Sequence, residues 1–130
     1  MTRSEQRQQL LALVYEKTFH DDAIEDIILL AKEARQQKLT DYIHRAFEGI
    51  FSNLDVIDEK ISTHSIGWKL ARIPKVPLCI MRIAVYEMMF EEDIPVSVSI
   101  NEAVELAKIY GADDDHSYVN GVLGAISRAQ

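Results

Sequence analysis

The chain has 130 residues, 48% of them hydrophobic and 27% charged, and its 14 basic and 21 acidic side chains give a formal net charge of −7. That length suits one domain with a real core, while the charge argues against indiscriminate nucleic-acid binding, whose affinity comes mainly from Lys and Arg neutralising phosphates. Scattered prolines and glycines, apolar runs too short for a bilayer, polar first residues and the single Cys79 leave no low-complexity tract, membrane span, signal-peptide core, disulfide framework or zinc ribbon to expect, so a reducing cytoplasm is the expected compartment.

From Ser4 to Lys17, Leu10, Leu11, Val14 and Tyr15 lie close on a helical wheel and predict a first helix ending near Phe19. Asp21 and Asp22 predict the N-cap and first-turn charge of a second, with an apolar stripe of Ile24, Ile27, Ile28, Ala31 and Ala34 and an end near Gln37. Thr40 then predicts the cap of a longer third helix. In it Ile43, Phe47, Ile50, Leu54, Ile57 and Ile61 recur every three or four residues, the strongest periodic signal in the chain. Gly67, Pro74 and Pro77 punctuate the next stretch, which predicts a short helix around Trp68 to Arg72, then a loop, with Trp68 anchoring the join between two halves.

Leu78 to Phe90 is apolar nearly all round, Ile80, Ile83, Ala84 and Met88 included. It predicts a central helix packed on several sides, with Pro77 as its first residue. Pro95 blocks continuation, Ser99 with Glu102 reads as a capping box opening a sixth helix, and Gly111 is a natural C′ residue. Asp113-Asp114-Asp115 turns the chain and puts carboxylates at the positive N-terminus of a seventh. Asn120-Gly121 is a hairpin pair by type, but here it sits within Val119, Val122, Leu123 and Ile126 at helical spacing, and the helix reading wins. Gly and Asn there cost about 1 and roughly 0.6 kcal/mol relative to Ala, which predicts a close helix approach at Gly121 and a side-chain hydrogen bond from Asn120. With no strand pattern, the expectation is an all-α single domain, residues 1–130, of about seven helices in two small sub-bundles, about 1–62 and 63–130.

Convergent reactive groups are scarce. There is no phosphate-cradling glycine loop, HExxH, nucleophile elbow or cysteine pair, and His20, His44, His64 and His116 are far apart. Asp113 to His116 could hold a hard cation but lacks the alternate spacing and downstream Glu of a calcium loop, so helix capping explains it better. Cys79 reads as a small core residue. No catalytic residue, metal or cofactor is expected; a metal-dependent hydrolase using the acidic run and His116 is the distant enzymatic alternative. Residues 60–86 hold five basic side chains, Lys60, Lys69, Arg72, Lys75 and Arg82, and no acidic one. That island is either an anion-binding surface or a solvated face answering acidic neighbours across the fold.

Ile100-Asn101-Glu102-Ala103-Val104-Glu105-Leu106-Ala107-Lys108, followed by Tyr118-Val119-Asn120-Gly121-Val122-Leu123, resembles the C-terminal signature of the NusB family, bacterial antitermination factors that bind RNA. The resemblance extends back through Ile94-Pro95-Val96, Ile80 to Glu87 and Trp68 to Arg72. It covers residues 64–126 closely, and residues 1–60 in length and helical character. It implies an all-helical fold of two small bundles and a noncatalytic RNA-binding factor. Such a factor recognises a boxA-like single-stranded element in ribosomal RNA transcripts jointly with the ribosomal protein NusE, within the RNA polymerase antitermination complex. Single-stranded RNA is read by stacking and base-edge hydrogen bonds, and Asp114 and Tyr118, spaced i, i+4, put a carboxylate and a ring on one helix face.

In the family these two positions contact RNA, as does the tyrosine near the end of the first helix, here Tyr15. The family's N-terminal arginine cluster implies Arg3 and Arg7 as phosphate contacts, thinned here by Ser4 and Glu5, so that binding should be weaker, more salt-sensitive or compensated by the basic island or a partner. Tyr86 and Glu87 are implied near the NusE surface, where Pro77 replaces a charge common in the family. Tyr15 and Tyr118 are expected to form one water-facing platform flanked by cations. Two readings stay open beside this one. One is a helical protein-interaction module with weak or lost RNA binding; the other is a homodimer that hides the RNA site, as occurs in the family.

Overall fold

The computed structural model describes residues 1–35 and 38–130, which form seven α-helices, a single 3₁₀ turn and, among the described residues, no strand. Helix α1 (Arg3–Phe19) opens on a capping box that the sequence reading missed: Thr2 Oγ1 accepts from the Glu5 amide at 3.1 Å, and Glu5 Oε1 accepts from the Thr2 amide at 3.0 Å. Helix α2 (Ile24–Glu33) starts behind Ala23 with no side-chain cap, and its first-turn acids are Glu25 and Asp26, so Asp21 and Asp22 do not cap it. The expected end near Gln37 lies outside the described residues.

The long apolar seam belongs to two helices. Thr40 caps α3 (Asp41–Ser52) as expected, accepting from the Ile43 amide at 3.3 Å, but the helix stops at Asn53 and α4 (Leu54–His64) begins anew. Asn53 departs from helical dihedrals at φ −121°, ψ 24°, while its side-chain amide donates to the Gly49 carbonyl at 2.8 Å. Such local side-chain bonding competes with the helix ladder. The spacing of three and four survives the break because Ile43, Phe47 and Ile50 before it, and Ile57 and Ile61 after it, are all fully buried. Each such residue contributes about 1.5–3 kcal/mol.

A 3₁₀ turn at Leu70–Arg72 leads into α5 (Lys75–Phe90), which starts two residues before the expected first residue Pro77, behind Pro74. Pro77 is its third residue, where the missing N–H lies among those with no intrahelical partner. Pro77 through Glu87 are buried without interruption, because α5 is packed by α1, α3, α4, α6 and α7. Helix α6 (Val96–Tyr110) begins directly after Pro95, so Ser99 and Glu102 lie inside it and form no capping box, while Gly111 closes it in extended backbone.

Helix α7 (Asp115–Arg128) contains Asn120-Gly121, as expected. The expected compensation is missing, however. Both residues are exposed, a Cβ on Gly121 would meet nothing within 4 Å, and Asn120 makes no side-chain hydrogen bond among the described residues. The helix is held instead by Val119, Val122, Leu123 and Ile126, all buried. Trp68 does not anchor a buried join either; it is 51% exposed. No helix among the described residues is long and apolar enough to cross a membrane.

Candidate nucleic-acid interface

Tyr118 stands in the first turn of α7, one place before buried Val119, so its ring lies half-buried at the edge of the core. Two contacts fix it. Its hydroxyl shares a hydrogen bond with that of buried Ser65 at the end of α4, and its ring meets that of Trp68 edge to face, with centroids 6.5 Å apart at 68°. Between Ser65 and Trp68 the chain passes through Gly67 at φ +85°, a left-handed conformation that glycine adopts without steric cost. This turn holds Trp68 half-exposed and Ile66 94% exposed. Asp114, one helical turn ahead of Tyr118, occupies the N-cap position without a capping bond. Its exposed carboxylate accepts no hydrogen bond among the described residues, and the turn is closed by Asp115 instead, which accepts from the Ala112 amide at 2.8 Å.

Tyr15 has other neighbours. Its ring, 40% exposed, pairs with Phe19 at 4.8 Å and borders an apolar groove of about 340 Å³ lined by Gln8, Leu11, Ala12, Val76 and Tyr110. The Tyr110 hydroxyl donates to Gln8 Oε1 across it at 3.0 Å. Tyr15 and Tyr118 are not paired with each other among the described residues; each ring has its own aromatic partner. The two places are nevertheless joined twice by short chain, since Trp68 precedes Val76, and Tyr110 precedes Tyr118, by eight residues each. Eight residues span at most about 29 Å.

The expected cations divide sharply. Arg3 is exposed, its guanidinium 4.2 Å from the centre of the Tyr42 ring. Arg7 is not available to a phosphate: its side chain is 4% exposed, with Nε and Nη2 donating to Glu87 at 2.8 and 3.1 Å and Nη1 to Glu102 at 3.1 Å. Burial opposes its charge, but the bonds and proximity of Glu87, helped by Tyr42 and Glu102, outweigh that and hold its pKa above the ordinary value.

Glu87, assigned to a partner surface by resemblance, is 1% exposed and also accepts from the Tyr42 hydroxyl and, at 2.7 Å, from Ser99 Oγ. Tyr86 is equally interior, with its ring against Gly49 and its hydroxyl donating to Glu91 at 2.6 Å. Neither can meet a partner directly from where it stands. Of the basic island, Arg82 answers Asp58 through two bonds of 2.9 Å. Lys69, Arg72 and Lys75 are exposed and have no carboxylate partner among the described residues.

Among the described residues no group of three His, Cys, Asp or Glu side chains converges on a metal-sized site. The residues that the sequence reading left out of the interface are Trp68, Ser65 and Tyr110. Trp68, the only tryptophan, followed by Lys69 in a glycine turn, carried a usable signal; Ser65 and Tyr110 carried none that sequence alone exposes.

Comparison with known proteins is consistent along the whole chain. The sequence profile of the NusB family matches residues 4–128. The transcription antitermination protein NusB of Clostridium acetobutylicum is 43% identical over 126 residues, covering 95% of this chain and 93% of that protein. Among solved structures, NusB of T. maritima superposes with a TM-score of 0.86 at 32% identity over 98% of this chain and 92% of the other. A chain from the crystal structure of antitermination factors NusB and NusE in complex with dsRNA gives 0.85 at 22% identity over 100% of both, a likeness of fold.

Proposed function

The chain belongs to the NusB family, and we propose that it is a noncatalytic transcription antitermination factor that binds a boxA-like single-stranded element of ribosomal RNA transcripts jointly with NusE. Binding is the mechanism, delivered to the RNA polymerase antitermination complex. The observation that carries the RNA reading is Tyr118, fixed by Ser65 and Trp68, with the unbonded carboxylate of Asp114 one turn ahead. A base stacked on an aromatic ring is worth about 1–3 kcal/mol, and a carboxylate accepts from the exocyclic amine of cytosine. Neither interaction needs a basic protein. Arg3 supplies a phosphate contact and Tyr15 flanks the strand. NusE as joint partner is supported by a protein of the same fold whose structure contains NusE and dsRNA. Its docking surface consists of exposed side chains, since Tyr86 and Glu87 are interior.

Titration of labelled boxA-like RNA, with and without NusE, tests this. Asp114→Asn and Tyr118→Ala each weaken binding, the latter roughly 5- to 150-fold, while Tyr118→Phe keeps most of it. Asp114→Asn leaves thermal unfolding unchanged because the side chain is exposed and unbonded. Normal RNA affinity in both weakened variants removes the site. One observation favours the second reading, a protein-interaction module: Arg7 is consumed inside the fold. Absence of RNA binding by the unaltered protein at low salt with NusE present would select it.

A further inference from the structure

We infer that, beyond the single contact from Arg3, the RNA strand's phosphates follow the connection between α4 and α5, with Lys69, Arg72 and Lys75 as its contacts and Trp68 as a second base platform; this rests on the RNA-binding reading above. Three observations lead there. The N-terminal arm has one exposed arginine, because Arg7 is sealed against Glu87 and Glu102. Three of the exposed cations that have no carboxylate partner among the described residues, Lys69, Arg72 and Lys75, lie within seven residues, on the segment that runs from Trp68, at the Tyr118 pair, to Val76, at the Tyr15 groove. The other segment joining the same two places, Tyr110 to Tyr118, carries Asp113, Asp114 and Asp115 instead.

The two edges thus differ in sign. A strand lying between them would be repelled if its phosphates faced the aspartates. It is satisfied when phosphates face the basic edge and base edges face the acidic one, where amino groups find Asp114 as acceptor. Trp68 is half-exposed, stands at an angle to Tyr118 and pairs with no other aromatic ring among the described residues. Consecutive bases on two differently tilted rings require an unpaired strand, so the ligand class is single-stranded nucleic acid rather than duplex.

The experiment is a salt titration of affinity for a labelled single-stranded boxA-like RNA, with an RNA duplex of the same sequence as competitor. For single strands each lost phosphate contact lowers the slope of log K against log salt by about 0.7. The triple variant Lys69→Ala/Arg72→Ala/Lys75→Ala therefore loses about 2 from the slope. A matched triple of exposed cations elsewhere, Lys32→Ala/Lys38→Ala/Arg128→Ala, removes the same charge and keeps it. Saturating RNA also quenches the emission of Trp68, the protein's only tryptophan, and the duplex competes poorly. An unchanged slope in the first triple, an equal loss in the second, unquenched Trp68 or preferential duplex binding would overturn the inference while leaving RNA binding intact. If the unaltered protein binds no RNA, it is the functional reading itself that fails.

Discussion

Arg7 shows how one residue can be misplaced by its type and placed by its position. As an arginine near the start of an acidic chain it reads as a phosphate ligand. Yet it stands three, four and seven residues before Leu10, Leu11 and Val14, on the face of α1 that is buried. Glu87 follows Ile80, Ile83 and Ala84 by the same intervals on α5. The face of each was legible, but that the two faces meet 80 residues apart in sequence was not. Truncating one member of such a pair leaves the other charge uncompensated in the interior. Arg7→Met is expected to lower unfolding stability by about 3–5 kcal/mol, a large share of the roughly 5–15 kcal/mol of a typical domain. Adding Glu87→Gln returns part of that loss. Urea denaturation of the two single variants and the double measures the coupling; additive losses would show that the pair is not a unit.

At the scale of elements, periodicity found the apolar faces of α1 to α4 and of α7 but not where a helix stops. The α3–α4 seam runs through Asn53 without losing phase, so only the competing Asn53–Gly49 bond reveals two helices, and nothing in the apolar pattern could. Ser99 and Glu102 had the types and spacing of a capping box, but Pro95 starts α6 a turn earlier, and both side chains turn inward to Glu87 and Arg7. Two helical glycines separate propensity from packing. A Cβ at Gly49 would lie 2.4 Å from the buried Tyr86 ring, whereas one at Gly121 would meet open space. Gly49→Ala is expected to destabilise by about 1–3 kcal/mol through overpacking, and Gly121→Ala to stabilise by up to about 1 kcal/mol through helix propensity. Thermal melts of the two variants should move in opposite directions; a fall for Gly121→Ala would point to a contact that the free chain lacks.

For the molecule as a whole, the all-helical class and the central role of α5 could be read from the sequence, whereas the grouping of surface residues could not. Tyr15 and Tyr118 were expected on one platform, but their relation depends on how α1, α6 and the α4–α5 connection meet, which no local pattern encodes. The same long-range assembly sets the response to acid. Arg45 on α3 binds Glu91, the cap of α5, through two bonds of 2.8 Å. Arg45 foremost, against burial and with help from Tyr86, holds the Glu91 carboxyl below its ordinary pKa of 4.5. A folded pKa below the unfolded one contributes stability that is complete above the unfolded value and is lost as pH falls below 4.5 through the folded one. Glu91→Gln should therefore be less stable at neutral pH and lose less between about pH 5 and pH 3 than the unaltered protein; parallel pH profiles would remove this group from the acid response. The fully buried position of Cys79 on α5 has a separate consequence. Burial also pushes its thiol pKa up, and oxidants and alkylating reagents attack the thiolate, so the sole sulfhydryl is chemically silent until the central helix parts from its neighbours.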